Sequence, residues 1–339
     1  MMSDPLPDWR PACSLPMLRA RADMLASVRQ FFTARGYLEV ETPCLSRDVV
    51  VDAWLEPLKV RQGEQDWYLQ TSPEAFMKRL LAAGAGSIFQ ISRVFRAGEC
   101  GARHNPEFTM LEWYGVGTDW RDQLWFTEQL VRQVVLAGCR SLGRSQPAWG
   151  SEQFALTTYA EAFKRELGLA VFAATDDELL AAAQARGIPI PGGQAMVRDE
   201  LLNLLLGFCI EAGLGQRSGQ ERPEFLCDYP ASQAALAVTT ETAPAVARRF
   251  ELYIRGLELC NGYQELTDPA ELRRRDQRQN ETRACGAGSV LPGAKRMLQA
   301  MEHGLPACSG VALGFDRLVM VAAGSDELAE VLPFPAARC

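Results

Sequence analysis

The chain has 339 residues, 47% of them hydrophobic and 23% charged, with a formal net charge of −7. That length and usage supply a core of their own, which excludes a disordered chain, a collagen-like repeat and a disulfide-stapled scaffold. The acidic balance excludes a general nucleic-acid coat, and no apolar run reaches the ~18 to 20 residues of a membrane span.

Met1 to Arg10 carries Asp4, Pro5, Pro7 and Asp8 in place of a basic start and an apolar run, so no secretory signal is expected. The ten cysteines are scattered without a Cys-x-x-Cys, and His104 and His303 are the only histidines, so no zinc spacing appears. A reducing, cytoplasmic setting is predicted, with most thiols acting as small buried hydrophobes.

In chain order, Met17, Leu18, Leu25, Val28, Phe31 and Phe32 predict a helix over 17–35, stopped by Gly36. Tyr37 to Pro43 reads as a short alternating strand, and Trp67 to Thr71 as another. Ser72 is placed as the N-cap of a helix with Pro73 at its first position and Gly84 past its end. Ile88–Arg96 and Glu107–Tyr114 read as two strands joined by a polar loop. Residues 120–215 are predicted to be mostly helical, with Gly/Pro breaks at 187–193. Phe225–Tyr229 is a strand, Phe250–Leu259 a hairpin about Arg255-Gly256, and 269–283 a charged helix. A glycine-bearing loop, Ser309 to Gly314, leads into an apolar helix from Asp316. Without a βαβ rhythm, the pattern predicts an α+β fold, an antiparallel sheet flanked by helices. The expected organisation is a tail over 1–16 and one domain over 17–333, with a helical insertion near 145–220.

Three segments combine chemistry-bearing residues. Along a strand, Phe108, Met110, Glu112 and Tyr114 share a face. A carboxylate and a phenol among large apolar groups suit a cation with an alkyl stem, while Arg96, Arg103 and His104 before them suit an anion. A solvated hairpin with a salt bridge fits the same residues. In the hairpin, a two-residue turn would pair Tyr253 with Glu258 and Glu251 with Cys260. Glu251 and Glu258 then become same-face neighbours roughly 7 to 8 Å apart. They would hold Mg²⁺ together with substrate phosphates, or splay into water as edge glutamates. In the third segment, Gly310 to Gly314 allows close backbone approach. Arg317 sits in a first helical turn, where a bound polyanion would offset the unfavourable dipole; a plain loop-to-helix junction fits too.

Together these segments resemble class II aminoacyl-tRNA synthetases. Phe31–Pro43 is similar to motif 1, Phe95-Arg96 through Tyr114 to motif 2, and Gly310–Arg317 to motif 3. Arg103-His104-Asn105-Pro106-Glu107 through Glu112, and Glu258 through Asn261-Gly262 to Glu265-Leu266, resemble the lysine branch. Lysyl enzymes carry an anticodon-reading barrel, whereas only 16 residues precede the first helix here, and Ala312 stands where they usually have glycine. Both features resemble the elongation factor P–lysine ligase family.

That resemblance implies an ATP-dependent ligase that activates (R)-β-lysine as an adenylate and passes it to a lysine of elongation factor P. It implies Arg96 and Arg317 as catalytic residues on the α- and γ-phosphates. Around ATP it implies Ala97, His104, Asn105, Phe108 stacked on adenine opposite Arg317, Leu259 and Gly314, with either Gly98 or Glu99 at the adenine contact. It implies Glu112, Tyr114 and Glu265 on the side-chain ammonium, Ser72, Pro73 and Glu74 by the other amino group, Asn261 by the carboxylate, and Ala312 shaping isomer choice. Glu251 and Glu258 would bind Mg²⁺. A homodimer through motif 1 is expected, without membrane or tRNA binding. A truncated lysyl-tRNA synthetase-like enzyme acylating RNA, or an inactive regulatory paralogue, are the alternatives. The five arginines at 273–283 would serve as a docking surface for the protein acceptor or as a solvated face.

Overall fold

A computed structural model describes residues 9–149, 151–190, 196–285 and 288–339. The start of the expected tail, 1–8, and the end of the expected 187–193 break, 191–193, lie outside the described residues. The strands are β1 (Leu38–Glu39), β2 (Leu45–Ser46), β3 (Lys59–Gln62), β4 (Gln65–Leu69), β5 (Ile88–Phe95), β6 (Glu107–Val116), β7 (Ala155–Thr158), β8 (Gln216–Arg217), β9 (Gln220–Glu221), β10 (Glu224–Pro230), β11 (Val246–Ile254), β12 (Leu257–Gln264) and β13 (Cys308–Gly314). The helices are α1 (Leu15–Thr33), α2 (Glu74–Ala82), α3 (Trp120–Ser141), α4 (Tyr159–Leu167), α5 (Asp176–Ala185), α6 (Arg198–Leu205), α7 (Pro269–Cys285), α8 (Lys295–Gly304) and α9 (Phe315–Ala323).

The described residues form an eight-stranded sheet in the order β1-β5-β6-β13-β12-β11-β10-β7. Its middle is antiparallel as expected, but both ends are parallel pairs, β1 with β5 and β7 with β10. The expected strand over 37–43 shrinks to Leu38 and Glu39, both exposed at the sheet edge. Strand β7 falls in the stretch expected to be helical; Ala155-Leu156-Thr157-Thr158 has no apolar–polar alternation to mark it.

The largest difference is β13. Glycines at 310 and 314 make it read as a loop, yet it lies between β6 and β12 at the sheet centre. Val311 and Leu313 point into the core under α1, α3 and α9, joined there by Leu111, Trp113, Phe250 and Leu252. The small residues occupy the other face, where the site lies.

Local signals account for the helix ends. Ser14 caps α1 through its side chain, and Gly36 at φ 76° turns the chain out after it. Ser72 accepts the Glu74 amide at 3.4 Å, with Pro73 in the cap position, one residue later than expected. Reciprocal capping boxes start α3 at Asp119 and Asp122 and α4 at Thr158 and Glu161. Helices α4 to α6 gather a separate cluster of Tyr159, Phe163, Leu179 and Leu205 against Leu226 and Tyr229 of β10. No helix among the described residues is long and apolar enough to cross a membrane.

Candidate active site

The sheet face opposite α1, α3 and α9 carries two cross-strand rows. One runs Glu112, Ala312, Asn261, Glu251 across β6, β13, β12 and β11. The next runs Tyr114, Gly310, Tyr263, Arg249 on the same strands. Beyond Cys308 at its start, strand β13 gives this face only Gly310, Ala312 and Gly314, leaving its backbone as a bare floor. A Cβ at Gly310 would collide with the Glu265 carboxylate and the Tyr114 ring. Above the floor lies a cavity of about 960 Å³, at the upper end of the range for small-molecule sites.

A bulge decides what reaches the cavity from β12. Arg255 (φ 53°) and Gly256 (φ 67°) form the tight turn, and Tyr253 pairs with Glu258 as expected. The register then shifts, so Glu251 pairs with Asn261, not Cys260, while Cys260 faces Leu252 in the core. Strict alternation would put Glu258 and Asn261 on opposite faces; the extra residue, Leu259, brings both to the cavity side.

At one end of the row the groups are acidic. Tyr114 donates its hydroxyl to Glu112 Oε1 at 2.7 Å, and Glu112 Oε2 is buried without a hydrogen-bond partner. Burial, with Glu74 and Glu265 nearby, pushes the Glu112 carboxyl up to about 8. Glu265 is expected to wait for a substrate ammonium, yet the structure already gives it one. Lys78 of α2 lies 2.6 Å from Glu265 Oε2 and 2.6 Å from Glu74 Oε1. Burial opposes the Lys78 charge, but the two carboxylates outweigh it and raise its pKa. Burial likewise pushes Glu265 up to about 7, against the pull of Lys78.

Along the strands from that row, towards Gly314 and the start of α9, lie Arg96, His104 and Arg317, with Glu99 and Glu258 beside them. Arg317 in the first turn of α9 donates to the Glu258 carbonyl at 2.8 Å and lies 2.8 Å from His104 Nε2. Partial burial and the Arg317 charge hold the His104 pKa below the usual histidine value. The Arg96 guanidinium sits 5.0 Å from the centre of the Phe108 ring and 3.5 Å from Glu99. Its Nε is buried with no partner, as an arginine awaiting an anion would be. Asn105 is engaged on both sides: its amide donates to the Glu107 carbonyl at 2.6 Å and accepts from the Ala336 amide at 2.8 Å. It therefore holds the loop and the C-terminal segment in place.

Glu251 and Glu258 differ more than their shared face suggests. Glu251 is saturated: Arg249 donates to Oε1 at 2.5 Å, and Tyr229 and Tyr253 donate to Oε2 at 2.5 and 2.6 Å. Glu258 opens onto the cavity with its side chain 39% exposed. Partial burial and the Glu251 charge raise its pKa above the usual carboxylate value. Glu258 thus fits a divalent cation held jointly with substrate phosphates, and Glu251 fits as the fixed group behind it. Among the described residues no cluster of three or more His, Cys, Asp or Glu is gathered as a protein-only metal cage.

Of the expected site residues, Pro73, Ala97 and Gly98 do not line the cavity, whereas the others do, Glu99 among them. Pro73 is buried at the start of α2, and Gly98 turns the loop at φ 79°. The chain matches the family model described as tRNA synthetases class II (D, K and N) over residues 7–338. It is 40% identical over 336 residues to the Elongation factor P–(R)-beta-lysine ligase of Pectobacterium atrosepticum, covering 97% of this chain and 98% of that one. It is 42% identical over 337 residues to the protein of the same name from Salmonella paratyphi B, with 97% and 98% covered. The chain belongs to the class II tRNA synthetase family.

Within that class II frame, the residues sequence reasoning missed are those that hold others. Lys78 hides in an ordinary helical pattern; its one signal is the i,i+4 spacing from Glu74. Arg21 of α1 forms a buried ion pair with Asp316, donates to Thr109 Oγ1 at 2.7 Å, and Asp316 accepts the Thr109 amide at 2.8 Å. This triad ties α1, β6 and the turn bearing Arg317, and no spacing announces it. The five arginines of 273–283 divide: Arg283 is buried and donates to the Asp52, Leu55 and Ser289 carbonyls, and Arg275 donates to Ala235 and Ala237. Only Arg273, Arg274 and Arg278 are exposed, so neither expectation holds for all five.

Proposed function

We infer the activity from the family and the cavity together. The chain is an ATP-dependent ligase that activates (R)-β-lysine as its adenylate and transfers it to a lysine side chain of translation elongation factor P. The observation that supports this reading is the division of charge in one cavity: carboxylates gather around Glu112, and the arginines Arg96 and Arg317 stand apart from them across the Ala312–Asn261 floor.

In the first step a carboxylate oxygen of the amino acid attacks the α-phosphorus of ATP and pyrophosphate leaves. Arg96 holds the α-phosphate and Arg317 the γ-phosphate, so both stabilise charge where it develops. Phe108 stacks on adenine opposite Arg317 with Leu259 beside it, Glu99 reads its edge, and His104 closes over the phosphates while Asn105 and Gly314 shape that wall. Glu258, with Glu251 fixed behind it, would hold a Mg²⁺ ion together with the substrate phosphates, and that ion would supply charge neutralisation there. Glu112, Tyr114 and Glu265 receive the side-chain ammonium, Ser72 and Glu74 the second amino group, and Asn261 the carboxylate. In the second step the neutral acceptor amine attacks the anhydride carbonyl, AMP leaves, and the amine gives up a proton. Proximity supplies much of the acceleration in both steps.

In this reading residues 17–333 act as one catalytic domain with 145–220 inserted, in the cytoplasm. Two copies pair through the α1 and Pro43 side, where Leu15 and Leu38 are exposed; light scattering at micromolar concentration should give twice the chain mass, and a monomer mass would remove the dimer. For the activity, incubation with ATP and (R)-β-lysine should add one lysyl mass to a lysine of elongation factor P. Robust charging of tRNA with unmodified elongation factor P would replace this reading by an RNA-acylating one.

A further inference from the structure

The acidic end of the cavity holds more carboxylates than one ammonium needs. Glu74, Glu112 and Glu265 converge there, the last two only 2% and 3% exposed. Uncompensated, three such charges in one buried place would repel strongly. One cation of the protein's own is built in among them. Lys78, 1% exposed, bridges Glu74 and Glu265 at 2.6 Å each. Its ion pairs are with these two and not with Glu112; Glu112 Oε2 and Glu265 Oε2 are both buried without a hydrogen-bond partner, but only Glu265 has the ammonium beside it. The arrangement is therefore asymmetric: two carboxylates share an internal ammonium and the third has none.

We propose that Lys78 determines substrate charge at this site: it cancels one of the three carboxylates, leaves two negative charges for an amino acid bearing two ammonium groups, and holds Glu74 and Glu265 in position to receive them. The inference rests on the lysine-ligase reading above and deepens it. An amino acid with one ammonium leaves a carboxylate unmatched in a buried site, which binding energy must then overcome. A diamino acid of either isomer satisfies the count, so charge selects the diamine and shape selects the isomer. The titratable groups that face this cluster are Glu74 on α2, Glu112 and Tyr114 on β6, Tyr263 on β12, Glu265 after β12, Cys308 on β13 and Asp276 on α7. Removing Lys78 raises the proton affinity of the carboxylates it served. Protons then compete with the substrate ammonium groups, most strongly at low pH.

The test is ATP–pyrophosphate exchange by the full chain with α- and β-lysine between pH 6 and 9. Lys78→Met should raise the lysine KM at least tenfold near pH 6.5, and that KM should fall more steeply with rising pH than in the unmodified protein. The ATP KM should stay within about twofold. The double variant Lys78→Met/Glu265→Gln restores two net negative charges, so its KM should regain the shallower pH slope of the unmodified protein even if its level stays high. The same double variant removes the uncompensated buried charge that could unfold the single one, and thermal melting checks both. A single variant with an unmodified pH slope, a double variant as steep as the single, or an ATP KM that rises equally would overturn the proposal. If the unmodified protein exchanges lysine while the variants merely track it, only this proposal falls; if it exchanges neither isomer, the ligase reading falls and takes the proposal with it.

Discussion

Tyr114 donates its hydroxyl to Glu112 across 2.7 Å, two residues apart on one face of β6. Burial, then the neighbouring Glu74 charge, keeps the Glu112 carboxyl protonated up to about pH 8. The folded protein therefore holds a proton that the unfolded chain releases near pH 4.5. Stability contributed by this group is lost as the pH rises from 4.5 towards 8, because the folded state binds more protons over that window. Ligand binding runs the other way, since an ammonium needs the ionised carboxylate. The lysine KM should fall as the pH rises from 6 to 8.5, with the ATP KM much flatter. Glu112→Gln should flatten that slope, leaving the part due to Glu265, and weaken lysine binding by ~2 to 5 kcal/mol, the range for removing one partner of a buried charge pair. A slope unchanged in Glu112→Gln would move the titration away from Glu112.

Ala312 sits between Glu112 and Asn261 in the same row. Its methyl group is the only side-chain atom β13 places between the ammonium and carboxylate positions. Ala312→Gly should shift the α- over β-lysine preference by roughly tenfold, since one methyl-sized group in a pocket discriminates by about 1 to 3 kcal/mol. The kcat/KM ratio for the two isomers measures it, and an unchanged ratio would free Ala312 of that role.

Glu258 faces the cavity while Glu251 is tied down by Arg249, Tyr229 and Tyr253. Adenylation should require Mg²⁺, and Glu258→Ala should abolish it without loss of fold. Glu251→Gln should instead lower the melting temperature as well as activity, because it breaks a buried pair. Full pyrophosphate exchange in excess chelator would refute the metal assignment.

Arg21 and Asp316 form a buried pair that also holds Thr109. Asp316→Ala leaves the Arg21 charge stranded, so urea unfolding should show a loss of ~3 to 5 kcal/mol. A loss below 1 kcal/mol would mean that water reaches the pair.

Much of the site was legible before any fold. Arg96, Phe108, Glu112 and Tyr114 stand in one strand-and-loop segment whose alternation alone puts the last three on one face. Arg317 next to Gly314 reads as an anion site at a helix start. Lys78 was not legible, because a lysine in an amphipathic helix looks the same whether it points to water or to Glu265. Asn105 was legible as polar but not as occupied, since its partner Ala336 lies 231 positions away.

By itself the sequence determined which chemistry was available: the order of arginines, carboxylates and aromatics, and the local turns and caps, all depend on neighbours within a few residues. Only the tertiary structure decided how those groups meet. It made Ser309–Gly314 a central strand, because β6 and β12 supply the hydrogen bonds that glycine-rich backbone does not secure alone. It inserted one extra residue at Leu259, which turned both Glu258 and Asn261 to the cavity. It gave Glu265 an internal lysine and Glu251 three donors before any ligand arrives. Pairing register and buried charge compensation are long-range properties, set by strands and helices far apart in the chain, so no local pattern carries them.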